Sequence, residues 1–517
     1  MKGFYSNLHS KCLTLPLLKN NLISNYLGQG WTGLIGFAFI PLYIKYLGIE
    51  AYGLIGIFTL LQAWLSLLDL GMTPTLNREM ARFTAGSHTP QSIRDLLRSL
   101  EIISFCIAAL IGLLIGVASD WLAADWLRAD KLPLDEVAKA IAVMGGVLGL
   151  RFVEGIYRGG ILGLQRQVLY NVLNAALSTA RAVGAVAVLV WISPTIEAFF
   201  IWQGLMSIVS IVILGFTAHR LLPEATQPVR FSLPALMGIR HFAGGMMATT
   251  FLSILLTQVD KVILSKLLTL EAFGYYTLAA TVATTIGMLI APISQAFYPR
   301  FTELVANGRQ QELIKNYHHS AQLVTVLAAP VSLMLIFFGE KLLLFWTGNM
   351  PLSEEVAPLL TLLAAGTLLN GLMHIPYMLQ LAHGWSGFAA RVNLVAVAAL
   401  VPTIIWVTPR YGAIGAAWVW VLLNVGYVVF GMHFMYKHLL SGEKWAWYWI
   451  DITRPILAAL VVAWGLSMTL PTEIERHAEF VWLMAVGIFM VVAAIAVTPK
   501  IRSSLLNYIF KSIGNND

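Results

Sequence analysis

Apolar positions along the chain fall in long uninterrupted blocks, not in the one-face stripe of a surface helix or the alternation of a half-buried strand. The blocks lie at about residues 21–44, 52–73, 99–119, 138–162, 169–192, 196–218, 242–264, 274–298, 319–338, 356–382, 391–409, 411–436, 452–470 and 480–497. An α-helix needs roughly 20 such residues to cross a hydrocarbon core about 30 Å thick. The pattern predicts an all-α polytopic membrane protein with about 14 transmembrane helices. The longest polar connections are near 74–98 and 219–241, so no segment holds a separate soluble domain.

A repeat organises these blocks. Residues 45–53 read KYLGIEAYG and residues 266–274 read KLLTLEAFG, an offset of 221 at which Lys, Leu, Glu, Ala, an aromatic residue and Gly recur in register. Six spans fill the offset, so both motifs lie on the same side and the repeat is parallel, about an axis along the membrane normal. The expected architecture is two pseudo-symmetric six-helix lobes, 1–220 and 221–440, around a central cavity. Two C-terminal helices and a cytoplasmic tail follow over 441–517.

Polar side chains inside the spans form stripes. At about 100° per residue, Asn21, Asn25, Gln29 and Thr32 share one face of span 1, and Thr59, Gln62, Ser66, Asp69 and Thr73 one face of span 2. Their repeat partners, spans 7 and 8, carry Thr250, Ser253, Thr257, Asp260 and Lys261, and Thr277, Thr281, Thr284 and Gln295. Matched stripes in both lobes point to a hydrated cavity lined by Asn25, Gln29, Gln62, Asp69, Thr257 and Thr281. The competing reading is helix–helix adhesion, for which membrane proteins commonly use small polar residues.

Ionisable groups within spans are costly and mark functional candidates. Span 4 places Arg151, Glu154 and Arg158 on one face, where Glu154 can pair with either arginine at i,i+3 or i,i+4. Span 5 aligns Asn171, Asn174, Ser178 and Arg181, with no acid on that span for Arg181. Asp260 and Glu154 are the candidate coupling carboxylates. Pro292, Pro330, Pro376 and Pro402 are positioned to bend spans.

Composition agrees with the pattern. The chain is 58% hydrophobic and 11% charged, with mean hydropathy +0.75, against roughly a quarter charged residues in soluble domains. A soluble enzyme, a nucleic-acid-binding protein and a secreted disulfide scaffold are excluded. The net charge of +7 is a topology signal: with the amino terminus inside, 22 of the 33 Lys and Arg lie in inside segments, 8 outside and 3 within spans. That bias predicts both termini in the cytoplasm. Lys2, Lys11 and Lys19 precede a first apolar block too long for a signal sequence, which reads as an uncleaved span. Cys12 and Cys106 are not placed to pair, and no metal or cofactor motif is present. Without a phosphate-binding loop of its own, transport draws on an ion gradient, the membrane potential or the substrate gradient.

The segments FIPLYIKYLGIEAYGLIGIF, LLDLGMTPTLNREMARF and LTQVDKVILSKLLTLEAFGYYTLAATVATTIGMLIAPISQAFYPRF resemble Wzx-type flippases. These are polysaccharide transporters of the multidrug/oligosaccharidyl-lipid/polysaccharide exporter superfamily. The resemblance is carried by spans 1, 2, 7 and 8, most specifically by Asp260 and by Pro299, Arg300 and Phe301. It implies a 12- to 14-helix fold with alternating access to a cationic cavity. It implies transport of undecaprenyl-pyrophosphate-linked oligosaccharides to the periplasmic leaflet of a bacterial inner membrane, for O-antigen, capsule or other surface polysaccharide. Membrane lipids, a polysaccharide polymerase, a chain-length regulator and a proton or sodium ion are the implied partners, with no cofactor. The cations available for pyrophosphate are Arg78, Arg151, Arg158, Arg181, Lys261, Arg300 and Arg391. Related lipid II flippases have arginine-rich first spans, which this chain lacks. The alternatives are a drug/cation antiporter, for which Asp69, Glu154 and Asp260 would supply acid, and a membrane-embedded enzyme of glycan assembly.

Overall fold

The computed structural model describes residues 15–503 apart from 66, 70, 85, 226, 238, 240–253, 255–257 and 469–475. It is all-helical, with one isolated bridge between Arg128 and Thr269 among the described residues. By packing, the chain divides into two compact units, Met1–Glu271 and Ala272–Asp517. The lobe boundary expected at 220 comes from sequence duplication. Packing instead keeps the second copy of the repeat motif, through Glu271, with the first unit.

The first unit contains α1 (Leu15–Ala38), α2 (Ile40–Leu47), α3 (Ile49–Leu65), α4 (Met72–Thr84), α5 (Pro90–Trp121), α6 (Leu134–Gly163), α7 (Gln167–Trp191), α8 (Ile196–Leu221) and α9, residues 258–267. The second contains α10 (Leu270–Ala306, whose first two residues fall in the first unit), α11 (Gln310–Thr347), α12 (Met350–Leu372), α13 (His374–Ala382), α14 (Ser386–Gly426), α15 (Arg454–Ser467) and α16 (Arg476–Ala496).

Eleven helices among the described residues are long and apolar enough to cross a membrane, and α3 is a shorter apolar helix. The run Arg391–His438 has 48 residues, about 72 Å at 1.5 Å per residue, more than twice the hydrocarbon thickness. Gly412 breaks it with φ 60° and ψ −150°, so it accounts for two expected spans. The seventh expected span lies mostly outside the described residues.

The expected span 52–73 is corrected by the structure. Its helix ends at Leu65, and a new one starts at Met72 after Gly71 turns the chain with φ 74°. The stripe from Thr59 to Thr73 is therefore not one helical face.

α6 is the most enclosed element of the first unit, and its glycines set the spacing. A Cβ at Gly149 would stand 2.5 Å from the Ala108 carbonyl oxygen of α5, and one at Gly159 2.8 Å from the Thr73 carbonyl oxygen of α4. Gly163 abuts the Asn77 carbonyl. Small residues at four-residue spacing let backbones meet where lipid supplies no hydrophobic drive.

Polar layers close the two ends of the first unit. At one end Glu79, 2% exposed, accepts from Arg78 (3.2 Å), Arg82 (3.0 Å) and His88 (2.7 Å). Glu101 binds Arg98 (3.3 Å) and His219 (2.7 Å). Arg94 donates to the carbonyls of His219, Leu222 and Pro223, capping the end of α8. The connections 74–98 and 219–241 are tied at this end: Gln227 N donates to Gln91 Oε1 (3.0 Å), and Arg230 N to Asp95 Oδ1 (2.9 Å).

At the other end both copies of the repeat motif form the same helix–break–helix, at Gly48 and at 268–269. Glu50 accepts from the backbone nitrogens of Asp130 (2.6 Å), Lys131 (3.0 Å) and Leu132 (3.1 Å), while its repeat partner Glu271 accepts from Lys131 Nζ (2.5 Å). That hydrogen bond raises the Lys131 amine above its ordinary range. Leu270 N donates to Arg128 O (2.8 Å), and Gly53 lies against the Leu270 carbonyl, where a side chain would not fit.

In the second unit a buried polar cluster anchors the last two helices. His318 of α11 is hydrogen-bonded to Asp451 and, at 3.0 Å, to Glu443; Gln322 donates to Asp451 at 2.7 Å and accepts from Lys500 N at 3.2 Å. Val326, Leu333 and Phe338 of α11 pack with Ala459, Ala463, Leu483 and Val486.

The glycine contacts generate a matched test. Gly149→Ala presses a methyl against backbone and is expected to lower stability by about 1–3 kcal/mol. Gly146→Ala points into open space and gains up to about 1 kcal/mol of helix propensity. Thermal unfolding of the purified protein in detergent separates them; equal shifts would refute close α5–α6 packing.

Candidate functional site

Three ionisable residues inside the spans of the first unit, Arg151, Glu154 and Arg181, converge where α3, α6, α7 and α8 meet. Arg181 on α7 donates through Nη2 to Glu154 Oε1 on α6 (3.0 Å) and to the Ser210 and Ser207 hydroxyls on α8 (3.2 and 3.4 Å). Its side chain is 16% exposed and that of Glu154 18%. Arg151, one turn before Glu154, donates to Gln203 Oε1 (2.9 Å), and its guanidinium lies over the Phe58 ring (5.3 Å to the centroid). Arg158 is exposed and acts electrostatically on Tyr170 and Asp69.

This corrects the expected pairing. Glu154 reaches across to Arg181 instead of pairing with Arg151 or Arg158 on its own helix. A same-helix pair contributes about 0.2–0.5 kcal/mol; an interhelical pair in a low-dielectric interior, with two hydroxyls completing it, gains far more.

The cluster is incompletely neutralised. Arg151 and Arg181 repel one another, and Glu154 is the carboxylate acting on both. The Nε atoms of Arg151 and Arg181 are buried with no hydrogen-bond partner among the described residues. Each is a donor kept for something else or left at a cost of about 1–3 kcal/mol.

The other expected residues separate into groups. Asn25 donates to Gln167 (3.1 Å) and accepts from Asn171 (2.7 Å), and Asn174 donates to Thr32 (3.2 Å). The span 1 stripe therefore joins α1 to α7 at these positions, the adhesive reading. Gln29 and Gln62 are exposed on the first unit. Asp69 accepts from the Thr73 amide (3.1 Å) and hydroxyl (2.7 Å), holding the start of α4. Thr281 donates to the Thr277 carbonyl of its own helix (2.8 Å). Thr257 lies outside the described residues, as do Ser66, Thr250 and Ser253.

Of the remaining cations, Lys261 donates to Gln258 (3.2 Å) and is the charged neighbour of half-buried Asp260. Arg78 is drawn to Glu79. Arg300 donates through Nη1 to both carboxylate oxygens of Glu303 (2.8 Å to each) and through Nη2 to Glu312 (3.2 Å), so its charge is already engaged.

Sequence reasoning missed the α8 contribution. Gln203, Ser207 and Ser210 recur at i, i+4 and i+7 in an otherwise apolar helix, which was the available signal. Trp202 packs on Gly184 and donates to the Arg181 carbonyl (3.0 Å), fixing the arginine's backbone.

The pairing generates a test. Arg181→Ala leaves half-buried Glu154 without its partner and is expected to lower protein level, by less than the roughly 3–5 kcal/mol that breaking a fully buried pair costs. Adding Glu154→Gln should restore the level. Quantitative immunoblotting of membranes decides it; no rescue would overturn the pairing.

The family model described as polysaccharide biosynthesis protein matches residues 18–305, more than half the chain. A Shigella flexneri protein that carries the name O-antigen transporter is 21% identical over 407 residues, 78% of this chain and 94% of that protein. The lipopolysaccharide biosynthesis protein WzxC of Escherichia coli (strain K12) is 23% identical over 259 residues, 48% of this chain and 50% of that protein. Among solved structures, the lipid II flippase MurJ in an inward closed conformation aligns with TM-score 0.66 at 12% identity, covering 92% of this chain and 97% of that one. An inward-facing multidrug resistance transporter of the MATE family aligns with TM-score 0.59 at 12% identity, covering 78% and 95%. These structural likenesses show a shared fold. The family match over more than half of its length shows that the chain belongs to the polysaccharide biosynthesis protein family.

Proposed function

We propose that this multi-pass membrane protein carries undecaprenyl-pyrophosphate-linked oligosaccharides from the cytoplasmic to the periplasmic leaflet of a bacterial inner membrane, by alternating access. Arg151, Arg181 and Arg158 hold the pyrophosphate. The observation that carries this reading is the pair of half-buried arginines, Arg151 and Arg181, that share one carboxylate and keep buried, unmade Nε donors. A pyrophosphate is costly to move through a low-dielectric site without fixed cations. Arginine binds phosphate oxygens through two parallel N–H donors and stays charged at any working pH. Glu154 holds Arg181 in place before substrate arrives, and substrate phosphate competes for the same guanidinium. A drug/cation antiporter would want the opposite charge balance at this position. Glu154 and Asp260 are the carboxylates assigned to a coupling proton or sodium ion.

Both termini, and the connections 74–98 and 219–241, are placed in the cytoplasm. The hydrogen bonds between these connections support a common side, and the excess of basic residues supports the cytoplasmic one. Single cysteines introduced at positions 86 and 225 into a Cys12→Ala/Cys106→Ala background should resist a membrane-impermeant thiol reagent in intact cells and react after lysis. Labelling of intact cells would reverse the orientation.

The substrate assignment is tested by charge. Arg151→Ala, which leaves the Arg181–Glu154 pair intact, should abolish surface glycan export at normal protein level. Arg151→Lys should retain part of it. Normal export by Arg151→Ala would refute a phosphate-binding role.

A further inference from the structure

The two halves of the broken run that begins with α14 form a V. At the Gly412 turn they touch: a Cβ at Gly415 would lie 2.6 Å from a Val407 methyl. Away from the turn they diverge and leave a groove of about 890 Å³. Its walls are almost wholly apolar, with Val395 and Phe430 prominent, 68% and 67% exposed. Tyr427 donates to Asn393 (2.8 Å) across the groove and ties the walls together. Gly426 and Gly431 line it, and a Cβ at either would meet nothing within 4 Å.

The open end carries the charge. Arg391 and His438 line it, beside Trp385, whose ring stacks on Phe388 (4.3 Å between centroids) and lies 5.2 Å from His438. Arg391 is exposed. Its Nε donates to the Gly387 carbonyl (3.1 Å), and no carboxylate forms an ion pair with it among the described residues. From Arg391 to Thr403, the depth of the groove along one wall is about 18 Å at 1.5 Å per residue. One leaflet of a hydrocarbon core is about 15 Å deep. An apolar slot one leaflet deep, with a cation and a tryptophan at its interfacial end, has the polarity of a single anionic lipid.

We propose that this groove is a binding site for an anionic glycerophospholipid, its acyl chains between the two helical walls and its phosphate on Arg391. The occupant is a resident lipid of the leaflet that faces Arg391, distinct from the transported glycan carrier. The site lies entirely within the second unit, so it stands whether or not the arginines of the first unit hold pyrophosphate.

The test uses the purified, delipidated full chain in detergent, titrated with phosphatidylglycerol, with phosphatidylcholine of the same chains and with a polyprenyl phosphate. Melting temperature and native mass spectrometry are the readouts. Phosphatidylglycerol should bind saturably and raise the melting temperature with ligand concentration, at least tenfold more tightly than phosphatidylcholine. Arg391→Gln should abolish that preference. Gly426→Trp and Gly431→Leu, which grow into open space, should keep the lipid-free melting temperature and lose saturable binding. Equal binding of the two phospholipids by the wild type, or undiminished binding by both glycine variants, would overturn the site. Displacement of phosphatidylglycerol by stoichiometric polyprenyl phosphate would overturn the assignment of occupant.

Discussion

A guanidinium inside a membrane protein must be given counter-charge and hydrogen-bond acceptors, or the fold does not tolerate it. The first unit is arranged around that constraint. Glu154 answers Arg181, Gln203 and the face of Phe58 answer Arg151, and Ser207 and Ser210 complete the shell from α8. The arginines and these partners together sit on four helices, so satisfying the arginines fixes how α3, α6, α7 and α8 sit. α6 bears this polar face on a helix that also presents Gly149, Gly159 and Gly163 to α5 and α4. The glycines bring the backbones close, and the ion pair sets the rotation. A change to either is felt by the other, because α6 has little exposed surface into which it can relax.

The repeat motif shows a second constraint, at the level of backbone polarity. A helix that breaks near the membrane boundary exposes amide and carbonyl groups that must find partners. Both motifs break at the equivalent position, and each then begins a helix with a glutamate in its first turn, where the helix dipole favours it. The two acids serve one connection: Glu50 receives three successive amides of it, and Glu271 receives its lysine. The recurrence of Glu in the motif is thus explained by what a broken helix needs. The glycine of the first motif is explained by the Leu270 carbonyl pressed against it.

Block length made the helices legible in the sequence, because hydrocarbon thickness leaves few alternatives for runs of that size. It failed where apolarity continued through a break. Residues 52–73 read as one span, yet the chain turns before Met72, since the leucines around the turn keep the block apolar and Asp69 and Gly71 read as single interruptions of it. At the site, angular periodicity found Arg151, Glu154, Arg158 and Arg181 and assigned their helices. It could not say which carboxylate meets which arginine, because pairing depends on how helices are rotated against each other. Periodicity within one helix is blind to that. The same limit explains the span 1 stripe. Asn25 and Thr32 were found as polar, and their partners Gln167, Asn171 and Asn174 lay on another polar stripe that the sequence could not match to them. Close-packing glycines were equally invisible in function, since a glycine facing a neighbour's carbonyl and one facing open space are the same letter.

The charge distribution bears on which ligands the fold can favour. Arg300 is held by Glu303 and Glu312, and Arg78 by buried Glu79. Binding an anion at Arg300 would require breaking exposed pairs that contribute roughly 0–1 kcal/mol apiece, so little selectivity is available there. Arg151 and Arg181 are in the opposite state. They are half-buried, they repel each other, and the carboxylate that serves them is shared. In the proposed function a phosphate placed there would relieve that repulsion at a smaller desolvation cost than at a fully solvated pair. The deeper arginines are therefore the ones proposed to discriminate for an anion, even though the exposed ones are easier to reach. A cation entering the same space would meet uncompensated positive charge. Polarity of this kind, set by which pairs are left incomplete, is how one helical architecture can serve substrates of opposite sign.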